Sequence, residues 1–199
     1  MEQILATLPV LHEYVKVEPH QLDKFRRVGH TLVRNVLTRN DVESYRIVGP
    51  KPWHQDQYYW PVDTHSTITM WMPLIDINEE MGMLTFASGS HKKECVFETE
   101  ILDESNQAFN NYVAENNIPI SRPIYMNAGD GSWHYGYTIH NAPCNSSSVV
   151  REVTTIIYVA DGAKVTAPKN KWQVNDLVTW MQDLPVGSFV SSGLNPLVL

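Results

Sequence analysis

The sequence predicts a mainly β fold, a sandwich or barrel with a few flanking helices. Short runs rich in β-branched and aromatic residues recur along the chain, and turns rich in Gly, Pro and Asn separate them. The clearest strand spans Glu152 to Ala160, Glu-Val-Thr-Thr-Ile-Ile-Tyr-Val-Ala, closed by Asp161-Gly162.

The elements follow in order. Residues 1 to 45 read as helical and polar. Leu22, Phe25 and Val28, then Leu32, Val33, Val36 and Leu37, recur at roughly helical spacing, with Gly29 interrupting the run. Thr38-Arg39-Asn40-Asp41 offers a cap for a short helix near Val42, and Gly49-Pro50-Lys51-Pro52 breaks regular structure. Thr67 to Met72 reads as a strand, and Met83 to Phe86 as a second, short one after Gly82. Arg122 to Met126 is a third. Gly129-Asp130-Gly131 forms a turn before a fourth through Trp133 and Tyr135. Glu98 to Asn117 is polar, a helix or loop; Val174 to Met181 is a late helix. The uncharged tail from Ser188 to Leu199 is expected to lie against the body. Met70, Met72, Met81 and Met83 are read as core filling.

The 199 residues suffice for one domain, and 43% are hydrophobic, as in a globular protein. A formal charge of −7 argues against nucleic acid as a partner, which usually needs a basic patch. No apolar stretch is long enough to span a bilayer, and Met1 to Ala6 lacks the basic start of a signal peptide. Cys95 and Cys144 are read as reduced thiols, which with these features points to a cytoplasmic protein.

The chemistry concentrates in His54-Gln55-Asp56 and the distant His140. Alternate residues of a strand share a face, so His54 and Asp56 can grip one ion while Gln55 points elsewhere. His140, read as the end of a strand, supplies the third ligand of a facial triad that suits Fe(II) and leaves positions open for O2. His-x-Asp alone is a weak signal, and the plain alternative for His54 is a loop histidine. Arg151, at the start of the strong strand, can hold a dicarboxylate such as 2-oxoglutarate by a bidentate pair; the alternative is a structural ion pair with Asp130. His134 could face the same side of the barrel as His140, but a satisfied core histidine is favoured over a fourth ligand; His91 is read as a turn histidine, and the loop setting of His65 argues against it as a ligand. His12, His20 and His30 are read as surface residues. Gln57, Tyr58, Tyr59 and Trp60 either line a substrate entrance or pack the rim, with Tyr59 the foremost candidate.

These residues resemble those of phytanoyl-CoA dioxygenase-like proteins, a branch of the Fe(II)- and 2-oxoglutarate-dependent oxygenases. The likeness runs from Trp53 to Ala160 through Trp53-His54-Gln55-Asp56, Thr69 to Leu74, Gly82 to His91, Gly129-Asp130, His140 to Pro143 and Arg151. It implies a double-stranded β-helix, a cupin-like jelly roll. The chain would form one domain over 1–199: a helical part over 1–45, the β-helix core over 50–165 and an extension over 166–199. It implies that His54, Asp56 and His140 ligate the metal and act in catalysis, and that Arg151 binds the far carboxylate of 2-oxoglutarate. Trp71 matches a tryptophan lining the cosubstrate pocket; Thr69, two residues earlier on the same strand face, is a second candidate.

The implied reaction hydroxylates a small or lipid-like organic substrate with O2, releasing succinate and CO2. Asp56 favours hydroxylation, because related halogenases lack this carboxylate. The chain departs from the pattern in one place: Gly29 and His54 lie only 25 positions apart, where relatives carry a long, mostly helical segment and another strand. That shortening keeps open a non-catalytic metal-binding jelly roll that has lost part of its cosubstrate pocket. A cupin-type isomerase using the same fold is disfavoured by Arg151.

Overall fold

The structure is a computed structural model, and it describes residues 16–34, 36 and 51–197. His12, the proposed cap at Thr38 to Asp41, the break at Gly49-Pro50 and the shortened connection before Lys51 lie outside the described residues. Among the described residues no helix is long and apolar enough to cross a membrane.

Helix α1, Pro19–Val28, starts with proline in its first turn, where the missing N–H costs nothing. The Gln21 carboxamide accepts the Glu18 N–H at 2.8 Å and closes that end. Gly29 terminates the helix at φ 86°, with its N–H donating to the Phe25 carbonyl. The helical reading of the segment therefore stops there. Leu32 and Val33 belong instead to strand β1, His30–Val33, because the chain leaves the glycine extended and pairs with a sheet.

The expected β architecture is present as two four-stranded antiparallel sheets. The first has the order β1-β8-β3-β10, with β3 spanning Thr67–Pro73, β8 Gly131–Tyr135 and β10 Val153–Val159. The second has the order β2-β9-β5-β6, with β2 spanning Lys51–His54, β5 Thr85–Ala87, β6 Ile120–Ser121 and β9 His140–Ala142. A short pair, β4 (Ile77–Asn78) and β7 (Tyr125–Met126), completes the strands among the described residues. The fold is the double-stranded β-helix.

Several boundaries differ from the sequence reading. The Met83 strand starts two residues later, at Thr85, and Arg122 to Ile124 stay outside β7. His140 begins its strand rather than ending one. The polar 98–117 stretch holds α2, Asp103–Glu115, and the late helix is α3, Lys171–Thr179. Asn170 caps α3 by accepting the N–H groups of Trp172 and Gln173.

A core of Trp71, Ile77, Met81, Met83, Leu84, Phe86, Met126, Ala142 and Val153 is shared by strands of both sheets. The methionines do fill the core as expected. Trp53, Ala87, Phe109 and Ile139 pack α2 against the second sheet. In the tail, Val190 packs against the Val62, Val165 and Met181 cluster, while Phe189 stays exposed. Cys95 and Cys144 are exposed and unbridged.

His30 is buried, contrary to the surface reading, because β1 turns it inward. Its ring stacks on Phe86 at 4.2 Å, and its Nε2 lies 3.0 Å from the Ser88 hydroxyl. Burial, then the charges of Lys24, His134 and His91, lowers its pKa to about 3. The folded state thus refuses a proton that the unfolded chain accepts near pH 6.5, so this contribution to stability is present above that pH and is lost on acidification towards pH 3. At pH 5 the loss from this group reaches about 2 kcal/mol. Urea midpoints at pH 7 and pH 5 should differ less in His30→Gln than in the parent protein.

Candidate metal centre

Strands β2 and β9 pair antiparallel with His54 opposite His140, which sets the two rings 4.2 Å apart between centroids. β2 ends at His54, and the chain turns into a 3-10 segment, Asp56–Tyr59, that brings Asp56 back beside the rings. Gln55 points away, as expected. Its amide donates to the Glu94 and Tyr137 carbonyls, each at 2.7 Å, and its oxygen accepts the Val96 N–H at 2.9 Å. Gln55 therefore locks the turn that presents Asp56.

One ligand atom from each of His54, Asp56 and His140 lies within 4.8 Å of the others. Asp56 Oδ1 is 3.2 Å from His54 Nε2 and 3.6 Å from His140 Nε2. Each histidine donates its other nitrogen to the carbonyl two residues earlier: His54 Nδ1 to Pro52 at 2.6 Å, His140 Nδ1 to Thr138 at 2.9 Å. These bonds fix the tautomer and leave both Nε2 lone pairs facing Asp56, the usual support for metal-binding imidazoles.

The second oxygen of Asp56 is occupied. Oδ2 accepts from the Thr69 hydroxyl at 2.7 Å and from His134 Nε2 at 3.1 Å. Asp56 thus offers one oxygen to an ion and keeps the other for the protein. Burial favours the neutral acid, but the surrounding imidazoles, His140 foremost and then His134, outweigh it and hold the carboxyl well below its usual range. Burial, with repulsion from His134 and His54, keeps the His140 pKa well below the ordinary value. Neutral imidazole beside carboxylate is the protonation state that metal binding needs. Thr69→Val should weaken metal affinity by about tenfold, the lower range for loss of a supporting hydrogen bond, as read by competition with a chelating dye.

Arg151 precedes β10 and is 4% exposed. It donates to the carbonyls of Met81 at 3.1 Å, Gly82 and Pro143 at 3.3 Å. Asp130 bonds Arg34 and the Asn127 N–H, and among the described residues no ion pair joins it to Arg151. Gly82 sits at φ 78°, and a Cβ there would overlap the Pro143 carbonyl and the Arg151 guanidinium. Gly82→Ala should lower stability by about 1–3 kcal/mol, visible as a fall in the urea midpoint.

Register places Trp71 opposite Thr155 and Thr69 opposite Ile157 across β3 and β10. These four line a cavity of about 670 Å³ with the triad, His134, Leu84, Val153 and Arg151. Its outer part is bordered by Lys51, Tyr59, Trp60, Ile101 and the Trp172, Asn175 and Asp176 side of α3.

All six residues singled out from the sequence (His54, Asp56, His140, Arg151, Trp71 and Thr69) meet at this one cavity. His134 is buried beside the triad, on the His140 side as the alternative reading has it, with its Nε2 on Asp56; neither spacing nor composition announces that bond. The α3 wall was also missed, although Trp172, Asn175 and Asp176 stand three and four residues apart, on one helical face.

The family model for phytanoyl-CoA dioxygenase matches residues 44–153. No curated protein matches the chain. Among solved structures, the chain is similar to the non-heme alpha ketoglutarate dependent carbocyclase SnoK from nogalamycin biosynthesis. That match has a TM-score of 0.73 at 18% identity, covering 92% of this chain and 97% of SnoK. SnoN, the epimerase of the same biosynthesis, aligns with a TM-score of 0.70 and 19% identity, over 89% of this chain and 96% of that one. That structure is a complex with Fe3+, alpha ketoglutarate and nogalamycin RO. EvdO2 from Micromonospora carbonacea var. aurantiaca, complexed with 2-oxoglutarate, aligns with a TM-score of 0.55 at 14% identity, over 80% of this chain and 98% of that one.

Proposed function

Because the chain belongs to the phytanoyl-CoA dioxygenase family, we propose that it is an Fe(II)- and 2-oxoglutarate-dependent oxygenase that hydroxylates a small or lipid-like organic substrate. The observation that carries this is the convergence of His54 Nε2, His140 Nε2 and Asp56 Oδ1, with every remaining polar atom of those three side chains hydrogen-bonded to the protein. Two imidazoles and a carboxylate on one side of an ion suit Fe(II) and leave coordination positions for other ligands.

The cavity also fits the cosubstrate. Arg151 is desolvated, and burial lowers its pKa, so a carboxylate brought to it recovers the lost solvation as a charge-assisted bond. Trp71, Leu84, Val153 and Thr155 supply the wall between Arg151 and the triad. When bound, iron and 2-oxoglutarate supply the oxidising chemistry, in which O2 is consumed, succinate and CO2 leave, and one oxygen atom reaches the substrate.

The chain's own part is geometry. His54, Asp56 and His140 hold the metal; Thr69 and His134 keep Asp56 to one oxygen. Arg151 orients the diacid. His54, His140, Trp71 and Arg151 are buried, and Tyr59, Trp60 and Trp172 border the space left for an organic substrate. The neighbours named as an epimerase and a carbocyclase suggest a second outcome, in which no oxygen atom enters the product. Anaerobic addition of Fe(II) and 2-oxoglutarate should give a weak visible charge-transfer band, and oxygenation should then give succinate. No band under full iron loading would refute the oxygenase reading. Incorporation of labelled O2 into product would separate the two outcomes.

A further inference from the structure

Building on that reading, we propose that the outer part of the cavity recognises a substrate bearing a protonated amine on a flat, ring-containing body, with Asp176 as the counter-ion. The wall is assembled before any ligand arrives. Gln173 and Asn170 both donate to the Tyr58 carbonyl, at 2.9 and 3.4 Å, and so dock α3 on the 3-10 turn. The Trp172 indole N–H donates to Glu100 at 2.6 Å, and its ring meets that of Tyr59 edge-on at 6.1 Å. The Tyr59 hydroxyl accepts the Ile101 N–H at 3.0 Å. Held rings of this kind bind without the entropy cost of being ordered.

The polar groups of this wall are therefore engaged by the protein: the Trp172 N–H, the Tyr59 hydroxyl, and Glu100, which also pairs with Lys171 at 3.0 Å. Asp176 differs in having no charged partner among the described residues. It is partly buried on the cavity-facing side of α3. Its side-chain partner is its neighbour Asn175, and burial raises its pKa. A half-desolvated carboxylate gains most from a cation that brings its own apolar body. Tyr59, Trp60 and Trp172 line the cavity beside it as aromatic surface for that body, with Lys171 Nζ over one face of the Trp172 ring at 5.0 Å. The other charged groups of the cavity have different positions: Asp56 lies in the triad, Arg151 lies on the cosubstrate wall, and Lys51 is exposed at the first residue of β2. A cavity of about 670 Å³ has room for a multi-ring molecule besides the diacid.

The test compares three probes by calorimetry: 2-(2-naphthyl)ethylamine, its N-acetyl derivative, and 3-(2-naphthyl)propanoic acid. Each is titrated under argon into the protein alone and into the protein with Fe(II) and 2-oxoglutarate. The amine should bind at least about tenfold more tightly than either comparator, and Asp176→Asn should shrink that preference to within about twofold. Equal binding of the three probes, preference for the acid, a preference that survives Asp176→Asn, or no amine binding at millimolar concentration would each overturn the proposal. Absence of 2-oxoglutarate binding in the parent protein would instead strike the oxygenase reading, and the titration of the protein alone would still judge the wall.

Discussion

His140→Ala protein is expected to lose more than about 100-fold in Fe(II) affinity and to form no detectable succinate. That exceeds the 10- to 100-fold range for supporting groups, because a coordinating atom itself disappears. The same change opens a gap beside Phe86 and leaves Asp56 Oδ1 facing His54 alone. His140→Gln keeps more of the side-chain volume but lacks the imidazole, so it should retain the fold without restoring the metal. Thermal unfolding with and without Fe(II) reads both effects: the parent protein should be stabilised by the ion, and neither variant should respond. A variant that still gains stability from Fe(II) would show that the ion sits elsewhere.

Removing Arg151 should separate cosubstrate from metal. Arg151→Leu is expected to weaken 2-oxoglutarate binding by about 2–4 kcal/mol, roughly 30- to 1,000-fold, the cost of losing one partner of a desolvated charge pair. Iron affinity should change little, since the triad is supported by Pro52, Thr138, Thr69 and His134. Arg151 also ties the carbonyls of Met81, Gly82 and Pro143 together, so its loss carries a structural cost. Arg151→Lys controls for this: it restores a cation but not the planar fork, and should recover cosubstrate affinity in part. Equal affinity for 2-oxoglutarate in the parent protein and Arg151→Leu would remove Arg151 from the cosubstrate site.

The β architecture was legible because its long strands carry their own signature. Thr67 to Met72 and Glu152 to Ala160 are dense in β-branched and aromatic residues and lie within one residue of β3 and β10. Two- and three-residue strands such as β5 and β7 were less sharply bounded, since their pairing is set by partners distant in the chain. The segment after Gly29 was misread for a similar reason: apolar spacing of three and four suits a helix, but pairing with β8 makes His30–Val33 a strand. The metal triad was legible as residue types in order, and register placed His54 opposite His140. The roles of Thr69 and His134 beside Asp56 depend on β3 and β8 lying adjacent, which no local pattern announces.

The carbonyl bonds that aim His54 and His140 are local, each reaching back two residues along the chain, so the donor set stands ready whatever ion arrives. Readiness of that kind is indiscriminate. Two imidazoles and a carboxylate bind Ni(II), Cu(II) or Zn(II) more firmly than Fe(II) by the ordinary order of divalent ions. The protein accordingly depends on the metal supply around it for correct loading, and trace nickel or zinc should poison it without disturbing a single strand.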